Sequence, residues 1–290
     1  MIVTLGSTGM LGQAIVKYTN NNNIDVIGIA RSNADINIDV TNTKDLIDIV
    51  NSKKPKVIIN CIAISDLDYC EKNIEKAYLI NAHLVSVLVN ICVKLDIYLI
   101  HISTDHFFVN DLNKKHDELS NVCLVNNYAR TKYAGECFAL TYKKSLVIRT
   151  NIVGFRGAKD RPTFIEWVLS SLKNNDVISM FDDFYTSSID VNSLVYYLFL
   201  LIKNKNVYGF YNIASRDVFN KVDFIKKLSS KFGYKLDNYR ITSVKGLNTL
   251  RADSLGLDVS KVESKLGCYM PTIDQVVNSL YLDKGGICLK

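Results

Sequence analysis

The first dozen residues constrain the fold more than any other stretch. Ile2-Val-Thr-Leu5 is a short apolar run, Gly6-Ser-Thr-Gly9-Met-Leu-Gly12 follows it at once, and residues 11–18 carry apolar side chains at helical spacing. The pattern predicts strand, tight turn and helix. Glycines in such a turn let the backbone bend sharply and approach a pyrophosphate closely, while the helix N-terminus offers N–H groups and a favourable dipole to the negative charge. The spacing is G-x-x-G-x-x-G rather than G-x-G-x-x-G, and its place directly after an N-terminal strand marks Gly6, Thr8, Gly9 and Gly12 as parts of a dinucleotide-binding turn.

Further along, β-rich apolar runs at 25–29, 57–60, 98–103 and 146–149 alternate with helical patterns at 43–53, 75–95 and 128–141. That alternation predicts an α/β fold, a doubly wound parallel sheet of the Rossmann type. Ligands of such sheets bind at the carboxyl ends of the strands, and Gly6, Arg31, Cys61 and Thr104 each fall just after one. Residues 1–150 are therefore expected to form an NAD(P)-binding domain. Beyond 150 the alternation loosens into helices at 163–173, 191–203 and 221–232 with short strands near 177–179 and 209–212, which predicts a smaller substrate-binding lobe over 151–290, some of its strands rejoining the main sheet.

With 290 residues, 48% of them hydrophobic, the chain can build one large core or two smaller ones. Its net charge of +6 is dispersed in short runs such as Lys53-Lys54 and Lys114-Lys115, which argues against nucleic acid and for anionic small molecules as partners. The apolar stretch before Gly6 is too short for a signal peptide and 194–202 too short for a bilayer, so neither a leader nor a membrane helix is expected and the cytoplasm is the expected compartment. The seven cysteines, at 61, 70, 92, 123, 137, 268 and 288, are odd in number, scattered and free of C-x-x-C spacing. That argues against a disulfide framework and a metal site.

At the end of the second strand an NAD enzyme usually places a carboxylate for the ribose hydroxyls, whereas this chain has Ala30-Arg31-Ser32. A guanidinium pairs with the extra phosphate of NADP and Ser32 can add a hydrogen bond, so NADPH is the expected cofactor; the competing reading leaves Arg31 in solvent. Tyr128-Ala-Arg-Thr-Lys132 supplies the proton-transfer pair. A free tyrosine has a pKa near 10 and needs help to exchange a proton at neutral pH. Lys132, one helical turn on, brings an ammonium that lowers it. Thr104, at a strand end, can donate to a substrate carbonyl or its developing alkoxide.

His101-Ile-Ser-Thr-Asp105, Tyr128-Ala-Arg-Thr-Lys132-Tyr-Ala-Gly-Glu136 and the tail from Arg251-Ala-Asp through Leu257-Asp-Val-Ser-Lys261 to Leu266-Gly267 resemble the dTDP-4-dehydrorhamnose reductases, extended short-chain dehydrogenases/reductases, over nearly the whole chain. The resemblance implies catalytic roles for Thr104, Tyr128 and Lys132. It also implies cofactor contacts at Met10 and Leu11, at Asp39 and Val40 beside the adenine, at Ala63, Ile64 and Ser65, and at Tyr128 and Lys132. The implied substrate is a nucleotide-linked 4-keto-6-deoxyhexose, reduced with NADPH, or with NADH, in deoxysugar and surface-polysaccharide synthesis; members are often dimers, so a homodimer is an expectation.

Thr104, Asp105, His106 and Ile152 fall at the family's sugar pocket, and two of them depart from it: His106 replaces an aromatic residue and Ile152 a tryptophan. Sugar-nucleotide 4,6-dehydratases need Asp-Glu after the threonine, and this chain has Asp105-His106, so no acid is placed to expel the C6 hydroxyl. Epimerases that retain NAD are disfavoured by Arg31. A non-catalytic alternative, the regulatory subunit of methionine adenosyltransferase, is also similar; the intact Thr104, Tyr128 and Lys132 favour catalysis.

Overall fold

A computed structural model describes residues 1–158, 160–204 and 207–285. The chain divides into two compact units, Met1–Thr104, Leu124–Arg149 and Phe199–Tyr211 in the first, and Asp105–Cys123, Thr150–Leu198 and Asn212–Lys290 in the second. A single cut at 150 does not describe this division. Residues 105–123 leave the first unit early, and 199–211 return to it.

The first unit begins with β1 (Ile2–Leu5), α1 (Met10–Asn21), β2 (Val26–Ala30), β3 (Ile36–Asn37), α2 (Thr43–Lys53) and β4 (Val57–Asn60). After α3 (Leu67–Lys72) and α4 (Ile74–Tyr78), a π-helical turn at Leu79–His83 leads into α5 (Leu84–Leu95), β5 (Tyr98–Ile102), α6 (Asn127–Leu140) and β6 (Ser145–Arg149). The helix expected at 75–95 forms as the continuous run Ile74–Leu95, with a π turn inside it that carries Asn81. Pairings β1–β2, β1–β4, β2–β3, β4–β5 and β5–β6 are all parallel. A seventh strand, from the far half of the sequence, completes the sheet.

Burial explains the strand composition: β1, β4, β5 and β6 are enclosed almost throughout, so they read as continuous apolar runs rather than alternations. Val3, Leu5, Ile29, Ile58 and Leu99 from the sheet pack with Leu46, Val50, Leu84, Leu88 and Ile91 from the helices. Ile74–Leu95, 22 residues, is long and apolar enough to cross a membrane by length and composition alone. Its apolarity has a local cause, since Leu84, Val85, Leu88, Ile91 and Cys92 are buried in this unit.

The second unit holds β7 (Ile152–Val153), α7 (Phe164–Asn174), β8 (Ile178–Phe181), β9 (Tyr185–Thr186), β10 (Ile189–Asp190) and most of α8 (Val191–Lys203). β11 (Gly209–Asn212) joins the edge of the main sheet, whose order is β11-β6-β5-β4-β1-β2-β3, so a strand from beyond 150 does return there. β12 (Phe219–Asn220), α9 (Lys221–Phe232), β13 (Tyr239–Thr242), β14 (Ser254–Leu255), α10 (Ser260–Leu266) and α11 (Ile273–Asp283) complete the chain. Its core joins Ile165, Val168, Phe224, Ile225, Leu228, Val276 and Leu280. No disulfide forms among the described cysteines, and Cys288 lies outside the described residues.

Candidate functional site

The order of the main sheet reverses at β1, which has β4 on one side and β2 on the other. At that point the glycine turn closes. Gly6 has φ +79°, a backbone conformation that costs glycine little and other residues more. Its N–H donates to Ile29 O at 2.8 Å, and Gly9 N–H donates to Gly6 O at 3.0 Å. A Cβ on Gly12 would collide with Gly6 O and lie 2.6 Å from Ser7 Cα, so only glycine lets α1 start this close to the turn. Gly9 caps α1 without a side-chain hydrogen bond, and the first turn holds no acidic residue. The first-turn amides, Met10 and Leu11 among them, are left for an anion. This cradle fits a dinucleotide pyrophosphate.

Arg31 and Ser32 follow β2 directly and are exposed. Thr41 donates backbone and side-chain hydrogen bonds to Asp39, holding its carboxyl below the usual range, and Arg31 adds a smaller electrostatic contribution. Val40 is buried in the core of the unit.

The segment after β4 is held by two asparagines that the sequence reading did not single out. Asn60 Oδ1 accepts from Ile62 N–H at 3.1 Å, while Asn60 Nδ2 lies 3.2 Å from His101 Nδ1. That orientation makes Nδ1 an acceptor and puts the imidazole proton on Nε2. Asn81, in the π turn, accepts from Ile64 N–H at 2.8 Å and donates to Ile64 O at 3.0 Å and Thr131 Oγ1 at 3.1 Å. One side chain therefore ties the 63–65 segment to α6. Gly135 lets α6 come so near that a Cβ there would collide with Asn81 O.

α6 carries Tyr128 and Lys132 one turn apart and starts where Asn126 Oδ1 accepts from Ala129 N–H at 2.8 Å. Glu71 of α3 accepts from Asn127 N–H at 2.6 Å and from its Nδ2 at 2.8 Å. Tyr128 is buried beside Leu67, Cys70 and Ala77. Lys132 is 1% exposed and donates from Nζ to Ile102 O at 2.7 Å. Thr104, itself buried, lies two residues beyond that carbonyl.

Burial lowers Lys132 to about 8, opposed by Glu136 and Cys61. Burial also pushes the Cys61 thiol up to about 12, with Lys132 pulling the other way. His101 falls well below its ordinary value through burial and the Lys132 charge, so it stays neutral.

These values carry a pH prediction. On the expectation that Lys132 works as an ammonium, activity is expected to fall as pH rises through about 8, read from initial rates across a buffer series. A flat profile to pH 10 would remove the role for the Lys132 charge. Stability moves the opposite way. The folded chain holds this proton less tightly than the unfolded one, so the penalty of the buried charge is full below about 8 and relieved as pH rises toward 10.5.

The first unit thus brings Gly6, Thr8, Gly9, Met10, Leu11, Gly12, Arg31, Ser32, Ala63, Ile64, Ser65 and Thr104 to the carboxyl ends of its strands, with Tyr128 and Lys132 on α6. Asp105, His106 and Ile152 belong to the second unit. Asp105 and His106 continue the chain from Thr104, and Ile152 lies on β7, paired with Ile189 of β10.

The family model described as the RmlD substrate binding domain matches residues 1–279. The chain belongs to this family. It is 28% identical over 287 residues, 95% of both chains, to a probable low-salt glycan biosynthesis reductase of Haloferax volcanii. It is 26% identical over 230 residues to the dTDP-4-dehydrorhamnose reductase of Aggregatibacter actinomycetemcomitans, covering 77% of this chain and 76% of that one. Among solved structures, the dTDP-4-dehydrorhamnose reductase of Bacillus anthracis in complex with NADP superposes with a TM-score of 0.89 at 24% identity, covering 97% of this chain and 98% of that one. The α/β Rossmann architecture is common to this RmlD-family chain and that structure.

Proposed function

We propose that this RmlD-family protein is an NAD(P)H-dependent oxidoreductase that reduces the 4-keto group of a nucleotide-linked 4-keto-6-deoxyhexose in deoxysugar or surface-polysaccharide synthesis. The observation that carries this reading is the placing of a glycine cradle, a buried lysine, a tyrosine one turn before it and the Thr104 hydroxyl in one unit. The family relatives named as reductases and the NADP held by the Bacillus anthracis protein support it.

The residues divide the work as follows. Gly6, Gly9 and Gly12 admit the pyrophosphate, and the first amides of α1 meet its charge. Arg31 and Ser32 meet the ribose phosphate, and residues 63–65, fixed by Asn60 and Asn81, flank the nicotinamide end. NADPH bound there supplies the hydride. Thr104 Oγ1 donates a hydrogen bond to the substrate carbonyl oxygen and stabilises the charge that develops on it. Tyr128 Oη gives that oxygen its proton. Lys132 Nζ, anchored on Ile102 O, holds a positive charge beside Tyr128 and favours its ionised form.

The test is NADPH consumption by the purified protein against dTDP-, UDP- and GDP-linked 4-keto-6-deoxyhexoses, with Tyr128→Phe in parallel. Consumption that depends on Tyr128 is the expected result; none with any sugar, despite cofactor binding, would sink the reading. Arg31→Glu is expected to invert cofactor preference. A charged hydrogen bond lost from the phosphate is worth roughly 10- to 100-fold in KM for NADPH, with KM for NADH little changed. An unchanged NADPH to NADH ratio would place Arg31 in solvent.

A further inference from the structure

α6 starts without an acidic residue in its first turn, whereas α2 carries Asp45 there. Its N-terminal amides form the positive end of the helix and need acceptors from outside the helical ladder. α3 supplies one. Glu71 Oε1 accepts from the Asn127 N–H at 2.6 Å and Oε2 from Asn127 Nδ2 at 2.8 Å, while Asn127 Oδ1 accepts from Arg130 at 3.1 Å. On the other side of Tyr128, the Ala129 N–H goes to the Asn126 cap. Both chain neighbours of Tyr128 are thus fixed, one by the helix's own cap and the other by a different helix.

α3 is also the piece of chain that follows residues 63–65. Asp66 caps it, accepting from Tyr69 N–H at 2.9 Å, and Ile64 packs against the cluster of Leu67, Cys70, Ala77 and Tyr128. We propose that Glu71 is a positioning residue for Tyr128: by pinning Asn127 it sets the first turn of α6 against the segment that flanks the nicotinamide. Proton donor and cofactor then keep one register, a consequence that rests on the reductase reading above. A carboxylate that accepts with both oxygens fixes direction as well as distance. One backbone and one side-chain bond to the same residue leave Asn127 little room to swing, and Tyr128 follows it directly. Glu71 is exposed, so water can take its place on these donors and the fold survives without it. What changes is geometry, and a displacement of about 1 Å at a reacting group is worth up to about 10²-fold in rate.

Two measurements on the full chain test this, the first independent of turnover. Hydrogen exchange of the Asn127 amide is expected to quicken about tenfold or more in Glu71→Ala, and by less in Glu71→Gln, whose carbonyl oxygen still accepts the backbone N–H. With the sugar nucleotide that wild type reduces, Glu71→Ala is expected to lower kcat about 10- to 100-fold while KM for NADPH and for the sugar stays within about threefold. Glu71→Gln should recover part of that loss. Placed on Tyr128→Phe, Glu71→Ala should lower the residual rate no further, because its effect passes through the tyrosine hydroxyl. A merely structural role would lower both backgrounds alike.

Unchanged exchange at Asn127, kcat within about threefold of wild type in Glu71→Ala, or an equal loss in the Tyr128→Phe background would overturn the assignment. Faster exchange in Glu71→Ala, together with no Tyr128-dependent NADPH consumption by wild type, would keep Glu71 as the residue that sets Tyr128 and discard the reductase reading.

Discussion

Tyr128→Phe is expected to lower turnover by about 10²- to 10⁴-fold, the range for removing a positioned proton donor, while leaving the fold and most NADPH affinity intact. The substitution removes one oxygen from a buried ring beside Leu67, Cys70 and Ala77, so the packing of α6 against α3 and α4 persists. Asn126 still caps the helix and Glu71 still holds Asn127. What is expected to disappear is the proton that Tyr128 is proposed to give the carbonyl oxygen. Single-turnover NADPH oxidation with a fluorescence titration of the cofactor reads both effects at once. Turnover within a factor of about three of wild type would exclude Tyr128 as the donor.

Glu136→Ala is expected to cost about 3–5 kcal/mol of stability, the largest single loss foreseen in the first unit. Glu136 is fully buried, and its carboxylate accepts from Arg149 Nε at 2.9 Å and Nη2 at 2.7 Å, a bidentate pair between α6 and β6. Removing the carboxylate takes both of these hydrogen bonds from a guanidinium that is 3% exposed and lies 4.8 Å from the Phe210 ring centroid. Replacing both by apolar residues of similar volume should return much of the loss, because the desolvation cost leaves with the charges. Urea unfolding followed by circular dichroism measures both. A loss below 1 kcal/mol for Glu136→Ala would show that Arg149 finds another partner or water.

Glu136 also raises Lys132. In Glu136→Gln the alkaline limb of activity should therefore move to lower pH. The helix that presents Tyr128 and Lys132 also carries a carboxylate that opposes the effect of burial on one of them.

The sequence by itself determined the local parts: the strand, turn and helix at residues 2–21, the strand and helix alternation that follows, and α6 with Tyr128 and Lys132 on adjoining turns. Such features are written in residue spacing, period two or 3.6 and glycine where a Cβ cannot fit. Even the Asn126 cap is a local signal, standing just before a helical pattern. The tertiary structure alone decided the rest. Asn81 reaches Thr131 across 50 positions and Asn60 reaches His101 across 41, separations at which no periodicity pairs one asparagine with one partner. Which strand from beyond 150 returns to the sheet edge, and the departure of residues 105–123 from the first unit, are likewise choices among packings. The charge state of Lys132 belongs with them, since a sequence lists a lysine, and burial in the assembled unit is what brings it to about 8.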